Sequence, residues 1–247
     1  AIYASINWLH ADAYEFLHCK DWYNLPVNGA YDDKGNNLTI GYLKEKDFNF
    51  PAAMDMTNIS VILDDEFFVA YTDETHVKHN IEHEIYWAVV KQMCKTGEPG
   101  FSIDVGINAG EHLRNACTEL TSADDNDVCN LGSINLAKIA TYDQFCETVH
   151  YAIGMLLCGT LYSKLPYKEV YDTREKNRRL GLGLMGMHEW LLVRGKRYGP
   201  DKELAKWLQA YQDIGDSASL YWSNKLGISC PVKNRAIAPT GTISILA

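Results

Sequence analysis

Short apolar segments alternate with long amphipathic helices along this chain of 247 residues, and that alternation limits the folds it can adopt. Residues 59–63 (Ile-Ser-Val-Ile-Leu) and 101–104 (Phe-Ser-Ile-Asp) are typical of short buried strands. Helical periodicity runs through residues 76–95, 143–164 and 201–226. Buried strands interleaved with helices favour an α/β architecture, built as an open sheet or as a barrel.

Composition narrows the function classes. The chain is 47% hydrophobic and 22% charged, which is ordinary for a globular protein, and no linker or repeat divides residues 1–247 into separate domains. A formal net charge of -9 argues against nucleic acid or an anionic membrane surface as partner, because phosphate binders present a net basic face. We find no apolar run long enough to span a membrane and no signal peptide. Seven cysteines without a Cys-x-x-Cys pair disfavour a disulfide scaffold or a zinc ribbon and favour a reducing cytoplasm.

Both ends of the chain are apolar. It starts without Met at residues 1–8 (Ala-Ile-Tyr-Ala-Ser-Ile-Asn-Trp) and stops at residues 242–247 (Thr-Ile-Ser-Ile-Leu-Ala). Native termini are usually polar and frayed, so these ends predict a piece of a longer protein.

The stretch at residues 114–120 (Arg-Asn-Ala-Cys-Thr-Glu-Leu) offers the most distinctive chemistry. In extended backbone, Asn115, Cys117 and Glu119 would share one face. They would supply a sulfur for one-electron or nucleophilic chemistry, a base beside it, and an amide to orient a substrate hydroxyl. Cys129 opens a second extended segment and supplies another thiol. The alternative is that Cys117 is a small core residue, because free cysteine is often buried.

A candidate anion site lies at residues 238–244 (Ala-Pro-Thr-Gly-Thr-Ile-Ser). If a strand ends and a helix begins there, free backbone N–H groups would hold a phosphate without Lys or Arg. The candidate residues are Pro239, Thr240, Gly241, Thr242, Ile243 and Ser244. The alternative is an ordinary strand-to-helix turn with threonine capping.

Two further motifs match known sequence signatures, but the sequence around them does not fit the structures that those signatures require. Gly181-x-Gly183-x-x-Gly186 has the dinucleotide-binding pattern, but a charged segment precedes it where a buried strand is required, so close helix packing through the glycines is the preferred interpretation.

His79-x-x-Glu82-His83 has the letters of an inverted zinc-protease helix. With Ile81 at the centre of the apolar stripe, both histidines lie about 160° away and face solvent. We therefore predict no metal site there.

Residues 115–119, 129–136, 179–186 and 238–244, in this order, resemble the catalytic (large) subunit of ribonucleotide reductase. The resemblance covers essentially the whole chain. It implies part of a ten-stranded α/β barrel, with residues 115–119 on a catalytic finger loop.

The resemblance also implies a role for each candidate. Cys117 would be the thiyl radical that removes the ribose 3′ hydrogen, Glu119 would take the 3′-hydroxyl proton, and Asn115 would hydrogen-bond the ribose. Cys129 would be one half of the reducing dithiol, and residues 239–244 would hold the phosphates of a ribonucleoside di- or triphosphate. The second redox thiol of the family lies upstream of residue 1, so we expect the isolated chain not to turn over.

The acidic loop at residues 122–127 and the Pro-Thr-Gly-Thr-Ile-Ser form of the phosphate turn look more like the adenosylcobalamin-dependent class II branch. A class I large subunit with a separate radical-generating subunit is the alternative within the family. A thioredoxin-type dithiol reductant and a homodimer of the full-length enzyme are also implied. Outside the family, the alternatives are a nicotinamide-dependent oxidoreductase, a zinc hydrolase and a non-catalytic barrel remnant.

Overall fold

The computed structural model describes residues 2–106 and 109–247. They divide into two compact units, residues 1–121 and 122–247. Each unit contains parallel strands joined through helices, which confirms the predicted α/β class.

The first unit is built on a three-stranded parallel sheet. Its elements are β1 (Ile2–Asn7), α1 (Ala13–His18), β2 (Pro26–Tyr31), β3 (Asn37–Thr39), α2 (Ile40–Lys46), β4 (Thr57–Asp64), α3 (Asp65–Thr72), α4 (His79–Thr96), β5 (Gly100–Asp104) and β6 (Leu113–Arg114). Strand β4 is central, with Ile2 opposite Thr57 on one side and Ser60 opposite Gly100 on the other. Its buried side chains pack with those of α1, α3 and α4 into one apolar core. Strands β2 and β3 form the small hairpin that the Asn- and Gly-rich segment predicts.

The second unit is built around one fully buried strand. After β7 (Thr121–Ser122), its elements are β8 (Asn130–Asn135), α5 (Tyr142–Tyr162), α6 (Lys168–Asn177), β9 (Leu180–Met185), α7 (Met187–Val193), α8 (Lys202–Leu226) and α9 (Ile243–Leu246). All six residues of β9 are buried, and β9 pairs in parallel with β8 from Asn130 opposite Leu180 onward. Helices α5 and α8 cover this pair with a core that includes Phe145, Ile153 and Trp207.

Capping chemistry fixes the ends of the longest helices. The Asp201 carboxylate accepts the N–H groups of Glu203 and Leu204 at the start of α8, and Gly227 ends it in the left-handed conformation. Gly97 ends α4 in the same way. The sequence predicts glycine stops at Gly97 and Gly227 for the helices at residues 76–95 and 201–226, and both stops are confirmed.

Three local predictions are wrong or incomplete. The sequence predicts a first helix that Asp12 caps and that runs to about Trp22. The helix ends at His18, and the Asp12 side chain makes no cap hydrogen bond. The residues before Pro239 form a single strand-like bridge, at Arg235 to Leu182, rather than a full strand.

The buried face of α4 also differs from the predicted stripe. It consists of Glu82, Ile85, Val89 and Gln92, whereas Ile81 is 45% exposed. Ile85 and Gln92 of the predicted stripe are buried, but so is Glu82, a charged residue that an apolar periodicity does not select. No helix among the described residues is both long and apolar enough to cross a membrane.

Candidate active site

The candidate catalytic stretch folds as a turn. The Thr118 N–H donates to the Asn115 carbonyl oxygen (3.0 Å), and the Leu120 N–H donates to the Asn115 side-chain oxygen (3.2 Å). Thr118 has φ +65°, which an extended strand does not allow. The expectation that Asn115, Cys117 and Glu119 share a face through strand alternation is therefore wrong, because hydrogen bonds within the segment close it into a turn.

The turn leaves the thiol accessible and the carboxylate partly unsatisfied. Cys117 is exposed, while Asn115 and Glu119 are half-buried. Glu119 Oε2 is buried and has no hydrogen-bond partner in the described part of the chain. A buried carboxylate oxygen without a partner can accept a proton, and Glu119 lies two residues from the exposed Cys117 thiol.

The turn is docked on the sheet of its own unit. Asn58, at the second position of β4, donates its side-chain N–H to the carbonyl oxygen of Ala116. Asn58 was not among the residues selected from sequence. It precedes the strand predicted at residues 59–63, and no local pattern links it to residue 116.

The second candidate thiol lies in the second unit. Cys129 immediately precedes β8, is half-buried, and has its Sγ 3.7 Å from the Asn130 carbonyl oxygen. The neighbouring strand leaves room for this sulfur at Gly181, where an added Cβ would lie 3.3 Å from it.

Basic side chains of the second unit pair with two carboxylates of the acidic loop at residues 122–127. Asp127 accepts from Arg179 Nε (2.8 Å), and the two side chains are only 2% and 6% exposed. The Ser122 hydroxyl donates to Asp127 (2.7 Å) and accepts from Arg179 (3.1 Å). The Lys176 ammonium, 2.6 Å from Asp124, holds the pKa of that carboxyl below its usual value. Contacts within the unit therefore fix the loop and engage the carboxylates of Asp124 and Asp127.

The candidate phosphate turn lies near the end of the second unit. Thr240 adopts φ +51°, and the Ser244 N–H donates to its carbonyl oxygen (2.9 Å) as α9 begins. The predicted helix start is confirmed, although Thr242 at the cap position accepts no hydrogen bond. Residues 241–247 are exposed. A cavity of about 310 Å³ opens beside Ser244. Its other lining residues include Asn135, Met185, His188 and Glu189.

The glycine motif serves close packing. Gly181 and Gly183 lie inside the buried strand β9, and only Gly186, at φ +69°, occupies a strand-to-helix junction. A Cβ at Gly183 would lie 2.7 Å from the Ala236 carbonyl oxygen. The predicted packing role is confirmed, but the partners are strand β8 and the segment at residues 236–238 rather than a helix.

The histidine motif forms no metal centre in the described residues. His79 Nδ1 lies 2.8 Å from the Ala70 carbonyl oxygen, and the Trp87 indole donates to His83 Nε2 (3.1 Å). Glu82 between them is fully buried. Across residues 2–106 and 109–247, no group of three or more His, Cys, Asp or Glu side chains could hold a metal ion.

Comparison with known proteins gives a consistent match. The family model "Ribonucleotide reductase, barrel domain" matches residues 1–228. A protein of Mycobacterium phage D29, described as an adenosylcobalamin-dependent ribonucleoside-triphosphate reductase, is 28% identical over 92% of this chain and 32% of its own length. The vitamin B12-dependent ribonucleoside-diphosphate reductase of Thermoplasma acidophilum is 28% identical over 98% of this chain and 34% of its own length.

A solved structure shares the fold. The class Id ribonucleotide reductase alpha subunit of Actinobacillus ureae superposes with a TM-score of 0.71 at 17% identity, covering 99% of this chain and 46% of that one. The chain spans about a third of the length of the phage D29 and Thermoplasma relatives.

Proposed function

Because the chain belongs to the ribonucleotide reductase barrel-domain family, we propose that it carries the catalytic thiol of an enzyme that reduces ribonucleotides to 2′-deoxyribonucleotides. The observation that carries this proposal is the exposed Cys117, on a turn that also holds a carboxylate oxygen without a partner at Glu119. In the complete enzyme the chain forms part of a ten-stranded α/β barrel, with residues 115–119 as its finger loop.

Each of the three candidate residues of the turn has its own role in the proposed reaction. Cys117, as a thiyl radical, removes the hydrogen atom from the ribose 3′ carbon, and Glu119 accepts the proton of the 3′ hydroxyl. The Asn115 side-chain oxygen already accepts the Leu120 N–H, which directs its amide nitrogen to donate to the ribose. A base within hydrogen-bond reach of the hydroxyl contributes about 10²–10⁴-fold to the rate.

Cys129 and the turn at residues 239–244 supply the other two functions. Cys129 is one of two thiols that become a disulfide as the substrate is reduced, and an external dithiol such as thioredoxin restores it. The turn holds the di- or triphosphate through the Thr240 and Thr242 hydroxyls and the backbone N–H groups of residues 241–243, since anions bind free N–H groups without net positive charge. The Ser244 N–H donates to the Thr240 carbonyl and so shapes the turn.

Adenosylcobalamin is the proposed radical source, supported by the names of the phage and Thermoplasma relatives. When bound, it would supply the radical that takes the hydrogen atom from the Cys117 thiol. The residues present fit that requirement, because the Cys117 side chain is exposed. The class Id likeness keeps a separate radical-generating subunit as the second candidate. We further propose a homodimeric, cytoplasmic enzyme.

The test is ribonucleotide reduction by the gene product that contains these 247 residues. Activity with di- or triphosphates should require adenosylcobalamin and a dithiol but no second protein. Cys117→Ser should abolish it, whereas Cys94→Ser, at another exposed cysteine, should retain it. Activity that survives Cys117→Ser would refute the proposal, and activity that needs a second protein would assign the class I branch.

A further inference from the structure

The turn that carries Cys117 contains a strained residue. Thr118 adopts φ +65°, a left-handed conformation that β-branched residues rarely occupy. Such strain persists only where surrounding contacts fix the backbone. The turn's own hydrogen bonds, from the Thr118 N–H to the Asn115 carbonyl and from the Leu120 N–H to the Asn115 side chain, are local and would be lost together with the turn.

One contact from outside the turn reaches its backbone directly before the thiol. The Asn58 side chain donates to the carbonyl oxygen of Ala116, across 58 positions of sequence. Asn58 belongs to β4, which is paired with β1 on one side and β5 on the other. The donor therefore sits on the most constrained strand of its unit.

The backbone on either side of Asn58 is fixed separately. The Ile59 N–H donates to Glu98 Oε1 (3.0 Å), and Lys20 Nζ donates to the Thr57 carbonyl oxygen (2.8 Å). Lys20 and Glu98 also form an ion pair with each other. Their side chains are only 14% and 23% exposed, so water weakens these contacts less than it would at an open surface.

We propose that Asn58 is a positioning residue for the catalytic thiol, holding the strained 115–118 turn against β4 and so fixing where Cys117 presents its sulfur. The catalytic part of this statement rests on the proposed function of Cys117. The mechanical part does not, because it concerns only how the turn is held.

Amide hydrogen exchange of the gene product that contains these 247 residues, read by mass spectrometry on peptides covering residues 113–121, tests the mechanical part. Asn58→Ala should speed exchange in this segment about three- to tenfold, the factor expected from losing one hydrogen bond. Asn58→Asp should do at least as much, since a carboxylate facing the Ala116 carbonyl repels it. Asn80→Ala, at another exposed asparagine of the same unit, is the matched control and should change nothing.

A second-site variant separates strain from general loosening. Thr118→Gly removes the penalty for positive φ, so adding it to Asn58→Ala should restore most of the lost protection. Unchanged exchange in both Asn58 variants would overturn the proposal. So would faster exchange spread over β4 and β5, or a lower thermal midpoint, because the contact would then support the whole unit. Exchange needs no turnover, so its result stands apart from the Cys117→Ser assay.

In the active gene product, a positioning role predicts a split in the kinetics. Asn58→Ala should lower kcat about three- to tenfold while leaving KM for the nucleotide within twofold, because the affected loop holds the reacting sulfur rather than the phosphates. A rise in KM with unchanged kcat would contradict the assigned role.

Discussion

Glu82 is a buried carboxyl group to which no described residue donates a hydrogen bond. Its side chain is fully buried on α4 beside Ile85 and Val89, and neither carboxylate oxygen has a hydrogen-bond partner among the described residues. The His79 Nδ1 is 4.0 Å from Glu82 Oε2 and is already engaged with the Ala70 carbonyl. An unsatisfied buried polar group costs about 1–3 kcal/mol. We therefore expect Glu82→Met, which keeps the volume and removes the polar atoms, to raise the free energy of unfolding by about that amount at pH 7.

The sign of the pH dependence follows from the pKa. Burial raises the pKa of Glu82 above its ordinary value of 4.5, and His83 and His79 offset only part of that rise. Well below pH 4.5 the carboxyl is protonated in both the folded and the unfolded chain, so it adds no pH dependence. As the pH rises from 4.5 towards the folded pKa, the unfolded state ionises first, and stability falls by about 1.4 kcal/mol for each unit by which the two pKa values differ.

Urea denaturation followed by circular dichroism at pH 4.5 and pH 7.5 measures both effects. Glu82→Met should gain most at the higher pH and flatten the decline between the two. Glu84→Met is the matched control, since that carboxylate is exposed on the same helix and its loss should change stability by less than about 0.5 kcal/mol. A Glu82→Met protein that is less stable at pH 7.5 would refute the reasoning, because the carboxylate would then have a stabilising partner.

The second unit gives two further predictions. Gly183→Ala should lower the free energy of unfolding by about 1–3 kcal/mol, because the new Cβ would lie 2.7 Å from the backbone oxygen of Ala236. Gly199→Ala is the control and should be neutral, since a Cβ there would meet no atom within 4 Å. An unchanged urea midpoint for Gly183→Ala would count against the packing argument. Arg179→Met should cost about 3–5 kcal/mol by leaving the buried Asp127 unpaired, and the double variant Arg179→Met/Asp127→Leu should recover most of that loss. A double variant as unstable as the single one would show that the cost lies in packing rather than in the unpaired charge.

What could be predicted from sequence was fixed by local chemistry. The ends of α8 follow from an aspartate that caps the first N–H groups and a glycine that adopts a left-handed conformation, and both signals lie within a turn of the helix end. The sequence predicts strand β4 from a short run of β-branched residues, because such a run is typical of a buried strand. The order of the candidate site segments also follows from sequence, because motifs keep their order whatever the fold.

What could not be predicted depends on contacts between distant residues. Alternation placed Asn115, Cys117 and Glu119 on one face only if the backbone was extended, and no glycine in the segment signalled a residue with positive φ. Thr118 takes that conformation in a turn that Asn58 contacts from β4. The face of α4 was misplaced for the same reason, since its burial of Glu82 reflects the shape of the core and not the residue's polarity.

In each unit, a strand of the parallel sheet holds one of the proposed site segments. In the first unit, the central strand β4 holds the turn of Cys117 through one side-chain donor. In the second, the buried strand β9 holds the segment that leads to residues 239–244 through backbone hydrogen bonds: Leu182 donates to the Asn234 carbonyl (3.1 Å) and accepts from the Ala236 N–H (3.0 Å). That approach is possible only because Gly183 has no Cβ to meet the Ala236 carbonyl. Each proposed site segment is thus irregular itself but fixed to a buried parallel strand, which combines the precision of a rigid element with the access that a substrate requires.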